Sequence, residues 1–213
     1  MQPFLTYAAI GDSLTIGLGS DFMTGFVPMY AHMLNSVFHI PVVTKRYAKI
    51  GLTSTDVIKM LINRQVRSEI AQADVITITV GGNDLLHANA LFNETNNPIF
   101  FEVALQHLGT NLYHIIKYIQ NIKSCMNDQP YFIRIIGLYN PYQELSYSHY
   151  WVQTFNDVLR SYTSANVAFV DIYPIFRMYG THALSPDGLH PNGIGYQLIA
   201  TQLAKTGYNP LVR

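Results

Sequence analysis

The stretch Asp74-Val75-Ile76-Thr77-Ile78-Thr79-Val80 is β-branched at almost every position and runs directly into Gly81-Gly82-Asn83-Asp84. Side chains of that shape favour the pleated backbone. A short run of them with no polar alternation reads as a strand buried on both faces, and such strands belong to parallel sheets covered by helices. Four further apolar runs follow the same pattern, at residues 7–10, 42–48, 131–138 and 166–172, and each ends in glycine or polar residues.

Between them the apolar residues change to helical spacing. Val27, Tyr30, Ala31, Leu34, Val37 and Phe38 mark one helix, and Val57, Ile58, Leu61, Ile62 and Val66 a second with Ser54 as its N-cap. A long helical stretch spans 99–126, Trp151, Phe155, Val158, Leu159 and Tyr162 mark another helix, and a last one spans 193–204. The asparagine-rich segment 85–97 reads as an irregular excursion. Five strand signals alternating with five helical ones predict an α/β fold, a five-stranded parallel sheet with helices on both faces. With 213 residues the chain suits one domain over 1–213.

Thirteen basic residues balance thirteen acidic ones, so no electrostatic footprint for nucleic acid or an anionic surface is present. Charged residues supply 12% of the chain, about half the usual ~25%, while tyrosine contributes 15 residues. A surface of that kind favours association, although no oligomeric state follows from it. Cys125 is the only cysteine, which excludes an intrachain disulfide and suggests a packed thiol. No secretory signal pattern and no apolar run of about 18 residues is present, so synthesis in the cytoplasm without a transmembrane segment is expected.

The chemistry sits at the strand exits. In Tyr7-Ala8-Ala9-Ile10-Gly11-Asp12-Ser13-Leu14 a strand delivers a serine to a turn at the carboxyl edge of the sheet, where open α/β sheets bind ligands. Asp187 and His190 stand three apart in the loop after the fifth strand. That spacing lets the carboxylate reach the imidazole Nδ1–H and leaves Nε2 free to take the Ser13 proton. The Ser13 N–H, the Gly51 N–H and the Asn83 amide are candidate donors to a tetrahedral oxyanion. Each piece also fits ordinary turn chemistry: Asp12 and Ser13, Gly51, Asn83 after two glycines, and Asp187-Gly188 are all common turn residues. His107 and His114 lie two helical turns apart without a third ligand nearby, so packing and not a metal site is expected of them.

Gly11-Asp12-Ser13-Leu14, Gly51, Gly81-Gly82-Asn83-Asp84 and Asp187-Gly188-Leu189-His190-Pro191 resemble, in order, the four sequence blocks of the GDSL, or SGNH, esterases and lipases. Only the glycine of the second block matches. The resemblance implies Ser13 as nucleophile, His190 as base, Asp187 as its partner, and Ser13, Gly51 and Asn83 as the oxyanion hole. It also implies a flavodoxin-like three-layer α/β/α sandwich. The Gly-x-Ser-x-Gly elbow of the α/β-hydrolases is absent, because Thr15 occupies the second glycine position. The compact form is similar to lipase-type members from spore-forming bacteria, including spore germination lipases, so deposition on a spore is an alternative to a cytoplasmic location.

These residues predict a serine esterase or lipase that forms an acyl-enzyme and uses neither metal nor cofactor. A carbohydrate O-deacetylase is the alternative within enzymes, and a catalytically silent coat-type or binding protein the alternative outside them. The expected partner is a small-molecule or lipid ester, with contact to a lipid surface. Leu86, Leu91, Phe92, Ile99 and Phe100 either meet its acyl chain or simply cover the sheet.

Overall fold

The structure, a computed structural model, describes residues 4–125 and 129–211. Strand β1 (Leu5–Gly11) leads into a single helical turn, α1 (Ser13–Ile16), and a loop with a short 3-10 turn leads on to α2 (Phe26–Phe38). Strand β2 (Val42–Ala48) is joined through α3 (Ser54–Leu61) and α4 (Arg64–Gln72) to β3 (Val75–Thr79). Helices α5 (Gly82–Thr95) and α6 (Ile99–Ser124) precede β4 (Phe132–Ile136), and α7 (Ser148–Arg160) precedes β5 (Val167–Val170). Helices α8 (Tyr173–Tyr179) and α9 (Gly193–Lys205) come last.

All five strands run parallel in the order β2-β1-β3-β4-β5. That is the flavodoxin-like order, and its direction of winding reverses between β1 and β3. Alternate residues feed two separate cores, as the period of a strand requires. Ala8, Ile10, Ile76, Ile78, Ile133 and Ile135 pack under α3, α4, α6 and α7. Tyr7, Ala9, Val75, Phe132, Ile136 and Val170 pack under α2, α8 and α9. Each fully buried aliphatic side chain contributes about 1.5–3 kcal/mol, so both layers hold the strand exits in fixed register. The result is the three-layer α/β/α sandwich that the strand pattern predicts.

Four expectations are corrected. The helix expected from Ser54 through Val66 is two helices, because Asn63 accepts hydrogen bonds from the Gln65 and Val66 N–H groups and starts α4 afresh. Its N-cap is Thr53, which forms a reciprocal capping box with Asp56. The segment 85–97 is not irregular: it lies largely in α5, where Asn89 and Asn93 stand one turn apart and both face the Tyr147 hydroxyl. Cys125 is exposed at the end of α6 instead of packed. Met126, the expected end of that helix, lies outside the described residues. Among the described residues no helix is long and apolar enough to cross a membrane.

Candidate active site

The β1 exit is built for close approach. A Cβ on Gly11 would lie 2.0 Å from Thr79 Oγ1, so only glycine lets β1 and β3 meet there. Thr79 in turn accepts from the Asp12 N–H (3.1 Å) and donates to Asp12 Oδ1 (2.8 Å). Asp12 caps α1 by accepting from the Leu14 N–H at 3.0 Å. Burial raises the pKa of its carboxyl, and the bonds from Thr79 and Leu14 offset only part of that. Ser13 thus becomes the first residue of α1, nearly buried, on a rigid shelf.

The loop after α8 brings the other two groups. His190 Nε2 lies 3.0 Å from Ser13 Oγ, and His190 Nδ1 lies 2.7 Å from Asp187 Oδ2. Asp187 Oδ1 accepts from the Ser185 hydroxyl at 2.7 Å and from the Leu189 and His190 N–H groups, both at 2.9 Å. Desolvation pushes the Asp187 carboxyl up, but the bonds from His190, Ser185 and Leu189 together outweigh it and hold it well below the usual carboxylate range. The carboxylate therefore stays ionised beside the imidazole. The loop closes on itself through Ser185 N–H to His190 O (2.8 Å), and Asn192 caps α9 immediately after it.

The second and third strand exits meet at the same edge. The Asn83 amide donates one N–H to the Leu52 carbonyl at 2.8 Å, and its second N–H finds no acceptor among the described residues. Nor do the N–H groups of Ser13 and Gly51. Gly51 sits at φ +78°, which explains glycine there through backbone conformation alone. Asp84, next to Asn83, accepts from the Ser54 N–H (2.9 Å) and hydroxyl (2.6 Å). This pair ties the start of α3 to the start of α5, and so fixes the Gly51 turn relative to Asn83.

Ser13, Gly51, Asn83 and His190 open onto one crevice of about 270 Å³. Leu85, Leu86, Phe101, Leu138, Trp151 and Val152 line it, and Phe101 stacks on Trp151 with ring centroids 4.6 Å apart. Asn89, Asn140, Ser148 and the tyrosines Tyr139 and Tyr142 also reach it, and Asp12 is the one acidic residue of its lining among the described residues.

Residues 9–198 match the model of the GDSL-like lipase/acylhydrolase family. This chain belongs to that family. A spore germination lipase, LipC, of Bacillus licheniformis is 32% identical over 209 residues, covering 97% of this chain and 98% of its own. The crystal structure of a lipase, Lip_vut3, from a goat rumen metagenome superposes with a TM-score of 0.94 at 32% identity, over 98% of this chain and 100% of that one. An acetylxylan esterase of Geobacillus stearothermophilus, Axe2, shares the fold at 16% identity with a TM-score of 0.73, over 94% and 93% of the two chains. As a GDSL-family member the chain is an ester hydrolase.

All five site residues named from the sequence of this GDSL hydrolase, Ser13, Gly51, Asn83, Asp187 and His190, come together at one edge of the sheet. Of the residues read as either meeting the acyl chain or covering the sheet, Leu86 lines the crevice, Leu91 and Ile99 are exposed, and Phe92 packs against Phe101 and Tyr147. The fourth strand exit, which holds none of the site residues named from the sequence, supplies Tyr139, Asn140, Pro141 and Tyr142. Tyr139 stacks on Phe176 and donates its hydroxyl to the Leu189 carbonyl, next to His190. Its position after a strand was the available signal. Ser185, two residues before Asp187, carried none.

Proposed function

We propose that Ser13 is the nucleophile of a carboxylic ester hydrolase, with His190 as general base, Asp187 as the carboxylate that orients it, and Ser13, Gly51 and Asn83 as oxyanion donors. One domain, residues 1–213, carries the whole site. His190 Nε2 takes the Ser13 hydroxyl proton as Oγ bonds to the ester carbonyl carbon. The negative charge that develops on the carbonyl oxygen meets the three free N–H groups, and His190 then gives its proton to the departing alkoxide. A water molecule repeats the sequence on the acyl-enzyme, releasing the carboxylic acid and restoring Ser13. Asp187, ionised and held by Ser185 and two N–H groups, keeps the imidazole in the tautomer this requires.

The observation that carries the substrate class is the crevice. An apolar cavity of about 150 Å³ takes benzene, so 270 Å³ lined by aliphatic and aromatic side chains suits an acyl chain of roughly eight to ten carbons. Each buried methylene contributes about 0.8 kcal/mol, close to a fourfold gain in kcat/KM. The substrate is thus an ester with an apolar acyl chain, met as a lipid or at a lipid surface. Hydrolysis of p-nitrophenyl esters from acetyl to palmitoyl, with fluorophosphonate labelling mapped by peptide analysis, tests this. The expected outcome is a rise in kcat/KM to the octanoyl or decanoyl ester, labelling at Ser13 alone, and a folded but inactive Ser13→Ala. A preference for acetyl over every longer chain would favour a carbohydrate O-deacetylase, and labelling at another serine would overturn the nucleophile.

A further inference from the structure

The loop between α1 and α2 passes directly behind the histidine. Gly19, at φ +91°, comes so near that a Cβ on it would lie 2.9 Å from His190 Cβ, 2.9 Å from Ser185 Oγ and 2.7 Å from the Pro191 carbonyl oxygen. Real Cβ atoms do not come that close to other heavy atoms, so an added methyl group displaces one side or the other. It would strike, together, the stem of the imidazole, the backbone that follows it and the hydroxyl that holds Asp187.

Hydrogen bonds anchor both sides. On the histidine side, the Asn192 N–H donates to Ala183 O at 3.0 Å, and the Asn192 amide donates to the His182 and Leu184 carbonyls at 2.9 Å each. On the glycine side, the Leu18 N–H donates to Ser13 O at 3.0 Å, and the Leu18 carbonyl accepts from the Tyr196 hydroxyl at 2.7 Å. Tyr196 is fully buried on α9. Leu18, the residue before Gly19, is therefore anchored both to the serine itself and to the helix that follows His190.

We propose that Gly19 is a positioning residue: with Leu18 it forms the wall against which the His190 loop is seated, and the space its missing side chain leaves sets the 3.0 Å separation of His190 Nε2 from Ser13 Oγ. The inference rests on the roles of Ser13 and His190 given above. Conformation alone does not account for the contact, because Gly207 also has a positive φ, +74°, with no atom within 4 Å of a Cβ placed on it. Strain and close approach can thus be separated by experiment.

The test compares Gly19→Ala with Gly207→Ala in the full chain, measuring kcat and KM on a soluble p-nitrophenyl ester, the rate of fluorophosphonate labelling at Ser13, and Tm. Displacing a reacting group by about 1 Å costs on the order of 10²-fold in rate. Gly19→Ala is expected to lose about that much in kcat at unchanged KM, with labelling slowed in step, while Gly207→Ala shows a similar fall in Tm and wild-type kcat. Should Gly19→Ala not fold, Tyr196→Phe releases the Leu18 carbonyl without adding an atom, and is expected to lower kcat several-fold at unchanged KM. Wild-type kcat in Gly19→Ala, or in Tyr196→Phe where that variant decides, overturns the proposal. A wild-type enzyme that is neither labelled at Ser13 nor active on any ester instead overturns the assignment beneath it.

Discussion

Replacing Asn83 by alanine separates two hydrogen bonds that one amide group makes. The first, to the Leu52 carbonyl at 2.8 Å, exists in the resting protein; the second N–H is free for an oxyanion. Losing the first leaves a carbonyl without its donor, a cost of about 1 kcal/mol, or roughly 2–4 °C in Tm for a chain of this size. A domain with the usual ~5–15 kcal/mol of stability remains almost wholly folded after that loss. Losing the second removes a bond that is strongest in the transition state, about 2.7–4 kcal/mol, which corresponds to about 10²–10³ in kcat. Steady-state kinetics at 25 °C beside a thermal melt therefore distinguishes the two effects: kcat falls by two to three orders of magnitude, KM barely moves, and Tm drops a few degrees. Asn83→Asp sharpens the comparison, because it keeps the shape, replaces both donors with acceptors and sets a negative charge where negative charge develops. Its kcat is expected to fall at least as far. A kcat within tenfold of wild type in Asn83→Ala, or a loss confined to KM, would refute the oxyanion role and leave Asn83 as a residue that positions substrate.

Asp84→Ala removes both bonds to Ser54 and is expected to destabilise the fold by about 1–3 kcal/mol, with a smaller loss of kcat than Asn83→Ala. A thermal melt with parallel kinetics checks the order. Asp187 contributes a pH dependence of stability with a definite sign. Its folded-state carboxyl is held below the ordinary range, so its contribution is fully present above the unfolded value of about 3.9 and disappears as pH falls through the folded one. The Tm difference between wild type and Asp187→Asn should therefore be constant from neutral pH down to about 5 and shrink below about 4. A gap that widens in acid would show that the hydrogen bonds from His190, Ser185 and Leu189 do not favour the ionised carboxylate.

The strands were legible because burial on both faces leaves a simple signature. Residues 42–48 were placed without error, and the 74–80 run overshot β3 by one residue at each end. That Ser13, Asp187 and His190 meet was legible because the roles proposed for them demand particular residue types at particular strand exits. The break between α3 and α4 was hidden because one asparagine cap interrupts an apolar stripe that otherwise continues. Helix α5 was hidden by low intrinsic propensity: asparagine favours turns until tertiary partners such as Tyr147 fix it in a helix. The contact of Gly19 with His190, and the Ser185 bond to Asp187, depend on where two distant loops cross, and no local pattern encodes such a crossing.

The hydrogen bond between Ser13 and His190 joins residues 177 positions apart, with four of the five strands between them in sequence. A chain emerging from the ribosome presents Ser13 long before His190. Until residues beyond 190 have left the exit tunnel and α9 has docked, Ser13 lacks the imidazole proposed as its base. With the roles proposed above, the order of these groups along the chain acts as a delay: hydrolytic capacity arrives only once His190 has been made, and a product truncated before His190 is expected to be inactive as an esterase.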